Sequence, residues 1–406
     1  MLLRAYATIP DLINALIGTE IPRFPINTYG FFVAMGFLIS AYFLSKELQR
    51  KQKLGIFSGT KTEVIIGNKP SIVDILIPLI IGFFIGLKIG GVIENGTSVI
   101  TCQSQALSFL FSLQGNKLAG IIFGIAYAAY SYWDINKNAL ETPIKKTEII
   151  YPHQQVGTIV AVAAITGVLG SNIFEAFQPG SSIVKEITEI FTNPASLFSG
   201  LSIYGGLFFG TLGMIWYTKK LKINPFSFVD AVAAPYALAY GIGRLGCHFS
   251  GDGDWGIENL SKAPSWIPEY FWSNKYAYNV INEGKEIPGC VAENISGCGG
   301  DYCYELVNGV WPTSIYEFVM MLVIFAIAWS IRKKFTKAPG FIISVVFLLN
   351  GIERFFIETI RVTDRYESFF NLTQAQIISI IMIIVSVSGM IYLWNKYKEE
   401  IKNTSF

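Results

Sequence analysis

Nine runs of apolar residues constrain this chain more than any other feature in it. A hydrocarbon layer about 30 Å thick takes about 20 helical residues to cross, and every backbone polar group inside it must be satisfied within the segment. Windows of about 19 residues place such runs near 27–45, 72–94, 118–134, 156–176, 200–217, 228–248, 313–331, 340–360 and 374–394. Composition agrees, since only 15% of the 406 residues are charged, against about 25% in a soluble domain. The expected fold is an all-α polytopic membrane protein with about nine transmembrane helices, forming a single membrane-embedded domain over 1–406. A net charge of +2 with no basic block argues against a nucleic-acid partner. The opening "MLLRAYATIPDLINALIGTE" holds a proline and two acids and lacks an unbroken apolar core, so it does not read as a cleavable signal peptide.

The connections alternate in charge. Those after the first, third, fifth, seventh and ninth runs carry 19 Lys and Arg, among them "KELQRKQK" and "IRKKFTK", against nine on the other side. Basic loops stay in the cytoplasm, so the N-terminus is expected outside and the C-terminus inside.

The longest outside connection is 249–311, an expected loop subdomain or lid. Its stretch "SWIPEYFWSNKYAYNV" is rich in Trp and Tyr, which suits a resting place at the membrane interface. Cys290, Cys298 and Cys303 fall in this loop and predict a disulfide with one thiol left over, with Cys102 a fourth candidate partner. No histidine accompanies them there, so no metal site is expected.

Polar groups at membrane depth are costly and usually face a cavity or a partner. Arg244 closes the sixth run in "GIGRLGCHFSGDGDWG", where Tyr240, Arg244, Cys247 and His248 share one helical face. Glycines thin the helix around them, so a backbone or a ligand can approach. In the eighth run, "LNGIERFFIETIRVTD" sets Asn350, Arg354, Glu358 and Arg361 on one face. Two readings stand side by side. The arginines of both runs could form an anion pocket near the outer leaflet, because guanidinium forks match phosphate oxygens in pairs. Alternatively, Arg354 and Glu358 simply pair and lock helices together. Lys88 reads as a snorkelling or structural lysine, and Asp230 as a helix N-cap at the inner side.

Tyr29, Tyr204 with Gly205 and Gly206, and Tyr316 with Glu317 stand at the outer ends of the first, fifth and seventh runs. Each tyrosine alone would be an interface anchor. Their convergence with the arginines at one depth favours a lipid-headgroup site.

Taken in order, "INTYG" at 26–30, "YGGLFFG" at 204–210, "DAVAAPYALAYGIGRLGCHFSGDGDWG" at 230–256, "WPTSIYE" at 311–317 and "GIERFFIETIRVTD" at 351–364 resemble the prolipoprotein diacylglyceryl transferase family. The resemblance implies a bacterial cytoplasmic (inner) membrane enzyme whose active site faces the outer leaflet. It implies transfer of the diacylglyceryl group of phosphatidylglycerol to the lipobox cysteine thiol of a preprolipoprotein. The product is a thioether, glycerol phosphate is released, and no cofactor takes part. Arg244, Arg354 and Tyr29 match motif positions of the family. Together with His248 and Tyr204 as proton-handling residues, the expected site includes Cys247, Gly205, Gly206, Asp252, Gly256, Tyr316, Glu317, Glu358 and Arg361 as substrate contacts. The expected partners are phosphatidylglycerol, lipobox signal peptides and membrane lipids.

The chain departs from the family pattern in several places. Tyr204 stands where the family commonly has histidine, Cys247 where its signature has asparagine, and Trp311-Pro312 where it has His-Pro. The second and third runs, within 70–135, look like an insertion into a seven-span plan. The chain has two histidines. His153 falls at the cytoplasmic mouth of the fourth run, which leaves His248 to carry the thiol proton or to bind the following loop, with Tyr204, Glu317 and Glu358 as substitutes. An anion or lipid transporter and a non-catalytic membrane relative are the competing classes. A transporter wants polar groups near the midplane, whereas these cluster at the outer ends.

Overall fold

The computed structural model describes residues 4–21, 26–96, 109–175, 188, 203–290, 302–363, 365–366 and 370–404. A short amphipathic helix, α1 (Ile9–Ile17), turns Ile9 and Leu12 inward against Phe32 and Phe249. The long helices follow the apolar runs: α2 (Thr28–Lys53), α3 (Ile72–Asn95), α4 (Lys117–Lys137), α5 (Val156–Glu175), α6 (Ile203–Lys220), α7 (Pro225–Ser250), α8 (Thr313–Ile331), α9 (Phe341–Ile357) and α10 (Gln374–Thr404). Local signals set their ends. Asn27, Ser71, Asn116 and Asn224 each accept a backbone N–H at a helix start, the usual work of an N-cap.

Among the described residues, seven helices are long and apolar enough to cross a membrane: α2, α3, α4, α5 with the turn before it, α7, α8 and α10. The two remaining expected runs are helical as well but fall short of the seven. α9 has 17 residues and passes into a 3₁₀ turn, Glu358–Ile360. α6 has 18 and ends in Lys219-Lys220.

The central layer is α2 on α7, α7 on α8, and α9 against both α8 and α10. Small residues allow this. Ala233, Ala234 and Ala237 of α7 meet Met321, Ile324 and Ala328 of α8 and Ile342 and Val346 of α9 in one buried cluster. A second cluster joins Leu44 and Leu48 of α2 to Ile159 of α5 and Phe228 of α7. At the N-terminal end of α7, Asp230 corrects an expectation. It caps α9 rather than its own helix, accepting from Gly340 N at 2.8 Å and Ile343 N at 3.0 Å. Asn224 caps α7 instead, so the Asp230 carboxylate is free to tie two helices together.

Two helix pairs flank this layer. α5 packs on α6 through glycines: a Cβ at Gly205 would lie 2.4 Å from Gly170 O, and one at Gly206 2.7 Å from Ser171 Oγ. α3 packs on α4 in the same manner, with Gly86 facing Ala119 O. Among the described residues, neither α3 nor α4 makes a comparable contact with another helix. The pair is carried by a two-stranded antiparallel ribbon, β1 (Thr60–Ile66) with β2 (Ile144–Ile150), in which Thr60 opposes Ile150. Lys88 has a structural role here, donating to the carbonyls of Phe109, Ser112 and Gln114.

The loop after α7 forms its own small core from Trp255, Tyr276, Leu306 and Val310. A disulfide joins Cys290 to Cys303, beside the short strands β3 (Lys285–Glu286) and β4 (Tyr304–Glu305). Cys298 and Cys102 lie outside the described residues.

Candidate active site

α7, α8 and the end of α9 bring three arginines onto one carboxylate. Glu317 of α8 is fully buried, and its Oε1 lies 2.7 Å from Arg244 Nη2, 3.1 Å from Arg361 Nη1 and 3.4 Å from Arg354 Nη1. Its other oxygen accepts the Tyr240 hydroxyl at 2.7 Å. Glu358 adds a second acid, 3.1 Å from Arg354 Nη2 and 3.8 Å from Arg361 Nε. Asp254, on the loop, pairs with both Arg244 and Arg361. Arg354 and Glu358 pair, as one of the two expected readings had it, and the pair belongs to a larger arginine cluster whose described ionic partners are Glu317, Glu358 and Asp254.

Sequence spacing alone explains half of this geometry. Arg354 and Glu358 are four apart on one helix, so they face the same way. The 3₁₀ turn at Glu358–Ile360 then swings Arg361 back toward Glu317. The loop meets this turn through Ile257, whose N donates to Ile360 O, while the N of Gly256, opposite Arg361, donates to Trp311 O, both at 2.8 Å. A Cβ at Gly256 would lie 2.4 Å from Ile360 O, so only glycine permits the loop to seal against this turn.

Cys247 and Asp252 form a second shelf beside Arg244. The Cys247 thiol lies 3.6 Å from Arg244 Nη1, and ligating atoms of Cys247, Asp252 and Asp254 all fall within 4.8 Å of one another. A cation could be held by this trio. Asp254, however, already serves two guanidinium groups, whose positive charge would oppose a metal at that distance. Partial burial pushes the Asp252 carboxyl above its ordinary range. Tyr29 of α2 lies within electrostatic reach of Cys247, Asp252 and Arg244, where Gly246 lets α7 approach it: a Cβ there would be 3.1 Å from Tyr29 Cα.

Other expected site residues point elsewhere. The buried ring of His248 meets the loop: its Nδ1 shares a hydrogen bond with the Tyr276 hydroxyl at 3.1 Å, and it packs edge-on to Tyr276 and Phe249. Tyr276 in turn stacks on Trp255, and burial pushes its hydroxyl up, away from ionisation. The Tyr316 hydroxyl donates to Phe271 O at 2.7 Å, fastening the loop to the start of α8. Gly205 and Gly206 space α6 from α5. The side chain of Tyr204 lies outside the described residues.

Sequence reasoning missed three participants. Asp254 is overshadowed by Asp252 in "GDGDWG", although it directly precedes the Trp255-Gly256 pair that anchors the loop. Tyr276 carries no signal beyond its place in an aromatic stretch. Glu353 precedes Arg354 and lies off the Asn350–Arg354–Glu358 stripe, yet it is buried, with its Oε2 accepting from Asn350 Nδ2 at 3.2 Å.

The profile of the prolipoprotein diacylglyceryl transferase family matches residues 110–392, which hold every arginine and acid of this cluster. A phosphatidylglycerol–prolipoprotein diacylglyceryl transferase of Corynebacterium diphtheriae is 27% identical over 246 residues, covering 60% of this chain and 78% of that relative. The Fusobacterium nucleatum protein of the same description is 28% identical, covering 56% and 79%. The Treponema denticola one is 29% identical over 50% of this chain, which spans 63% of that relative's length. With a profile match over most of its length, the chain belongs to the prolipoprotein diacylglyceryl transferase family.

Proposed function

We propose that this protein transfers the diacylglyceryl group of phosphatidylglycerol to the lipobox cysteine thiol of a prolipoprotein. The observation that carries the reading is the convergence of Arg244, Arg354 and Arg361 on the buried Glu317. In the reaction a thiol sulfur attacks the glycerol carbon, the carbon–oxygen bond to phosphate breaks, and glycerol phosphate leaves with an added negative charge. Guanidinium groups fixed beforehand stabilise that charge without reorganising. Glu317 and Glu358 hold the three forks from beneath. Asp254 holds two of them from the loop side, where the carboxylate is 20% exposed, and it is the anion that the incoming lipid phosphate displaces. Tyr29 and Cys247 line the same shelf. His248 anchors the loop through Tyr276, the second of the two roles its sequence position allowed.

The same reading takes the protein as a nine-span chain of the bacterial cytoplasmic membrane, with the N-terminus outside and the arginine site toward the outer leaflet. Helices at all nine expected positions and the basic connections at alternate ends support it. The 249–311 segment then lies outside, over the site, and α3 with α4 forms the insertion.

The test is mass spectrometry of a synthetic lipobox peptide after incubation with purified protein and phosphatidylglycerol vesicles. A gain of one diacylglyceryl mass on the cysteine, lost in Arg244→Ala, is expected. No gain from folded wild-type protein overturns the reading.

A further inference from the structure

The thiol that attacks phosphatidylglycerol must give up a proton, and the arginine cluster leaves few groups able to take it. Glu317 is shared among three guanidinium groups and a tyrosine hydroxyl. Glu358 pairs with Arg354 and lies near Arg361, and Asp254 pairs with Arg244 and Arg361. The His248 ring is turned into the loop core.

Glu353 differs from all of these. It sits on α9 with 5% of its surface exposed, and no arginine or lysine lies within ion-pair distance of it among the described residues. Oε2 accepts from Asn350 Nδ2, while Oε1 is buried with no hydrogen-bond partner. An orphaned carboxyl oxygen at this depth is expensive, and such a cost is commonly kept where a group has work to do. The groups acting on it electrostatically are those of the site: Glu317 on α8, Arg244 on α7 and its neighbour Arg354. Tyr236 and Tyr240 of α7 feel it in return. Asn350 also reaches Met321 Sδ of α8 at 3.6 Å, so the amide that holds Glu353 is itself held in place.

We infer that Glu353 is the proton acceptor for the substrate thiol, through its buried, unpartnered Oε1, one residue before Arg354 of the cluster. This rests on the transferase reading above. The Glu353 carboxylate takes the proton as the sulfur–carbon bond forms and the carbon–oxygen bond to phosphate breaks. The electron pair of that bond leaves on the phosphate oxygen, facing the guanidinium groups, and the proton passes from Glu353 to the released glycerol phosphate. No further reactant is required. Asn350 acts as a positioning residue, holding Oε2 so that Oε1 stays free.

The experiment compares wild type, Glu353→Gln, Glu353→Asp and Arg354→Ala on two lipobox peptides, one with cysteine and one with selenocysteine, using phosphatidylglycerol vesicles. A selenol is already ionised at neutral pH and needs no base. Glu353→Gln is expected to lose about 100-fold in kcat on the cysteine peptide, with KM for phosphatidylglycerol unchanged. It should recover most of that loss on the selenocysteine peptide or as pH rises from 7 to 9, and Glu353→Asp should be intermediate. Arg354→Ala should be poor on both peptides. An equal loss of Glu353→Gln on both peptides means a structural role and overturns the inference, as does full activity on cysteine. Wild-type protein inactive on both peptides counts against the transferase reading itself. Thermal unfolding and detergent gel filtration of each variant identify any that fail to fold; if Glu353→Gln is among them, the Glu353→Asp comparison decides.

Discussion

Tyr240 of α7 donates its hydroxyl proton to Glu317 Oε2 of α8 at 2.7 Å, on the side of the carboxylate opposite the three arginines. The acid is thereby held on both faces, and α7 and α8 are registered at the depth of the site. Removing the acid leaves three guanidinium groups facing one another, and breaking a buried ion pair from one side costs about 3–5 kcal/mol. Glu317→Ala should therefore unfold at clearly lower temperature or denaturant concentration than wild type and lose transfer. Tyr240→Phe, which removes one hydrogen bond to a charged group, should cost about 1.5–3 kcal/mol and keep measurable activity.

Arg244 contacts Glu317 through one guanidinium nitrogen and Asp254 and Cys247 through the other. Lysine retains the charge but offers a single ammonium in place of the fork. Arg244→Lys should keep its fold and lose about 100-fold or more in kcat, read by peptide lipidation. Near-wild-type turnover would show that charge alone suffices.

His248 meets Tyr276 and Phe249, and its described contacts are with the loop core and its own helix. His248→Gln, which retains a hydrogen-bonding group, should keep most of the transferase activity. It should lose about 1 kcal/mol of stability, seen as a lower melting temperature. A variant that melts like wild type but has lost transfer would return His248 to proton handling.

Asp252 supplies a pH dependence of known sign. Its partial burial raises the carboxyl above the ordinary value of 3.8, so the folded chain holds this proton to higher pH than the unfolded one. Its contribution to stability is therefore fully present below pH 3.8 and is lost as pH rises through the raised folded value. Asp252→Asn should melt higher than wild type at pH 7, with the gain shrinking on acidification. A gain unchanged across that range would place its origin elsewhere.

Asp254 competes with phosphate for Arg244 and Arg361 in the proposed cycle. Asp254→Asn should lower KM for phosphatidylglycerol several-fold. A raised KM would mean that the carboxylate orders the arginines more than it blocks them.

The parts of this molecule governed by periodicity were legible in its residues. Arg354 and Glu358 had to share a face because they are four apart on a helix, and the apolar runs had to become helices because lipid leaves the backbone no other partner. What escaped was decided across space. Asp254 rather than Asp252 reaches the guanidinium groups, because Gly256 seals the loop onto Ile360 and fixes where the preceding residues point. His248 turns into the loop core because Tyr276, 28 residues later, returns to meet it. Asp230 caps a helix 110 residues away. None of these partners leaves a spacing that a helical wheel could display. Glu353 sits off the polar stripe, and its distinction is a bond it does not make.

The ribbon under α3 and α4 has a consequence of another kind. Thr60 and Ile150 face each other as the first rung, and paired strands set such Cα atoms about 5 Å apart. The whole excursion between them enters and leaves through one narrow doorway. A segment tethered in this way can tilt or shift as one piece about its doorway, because α3 and α4 pack on each other and, among the described residues, on no other helix to a comparable extent.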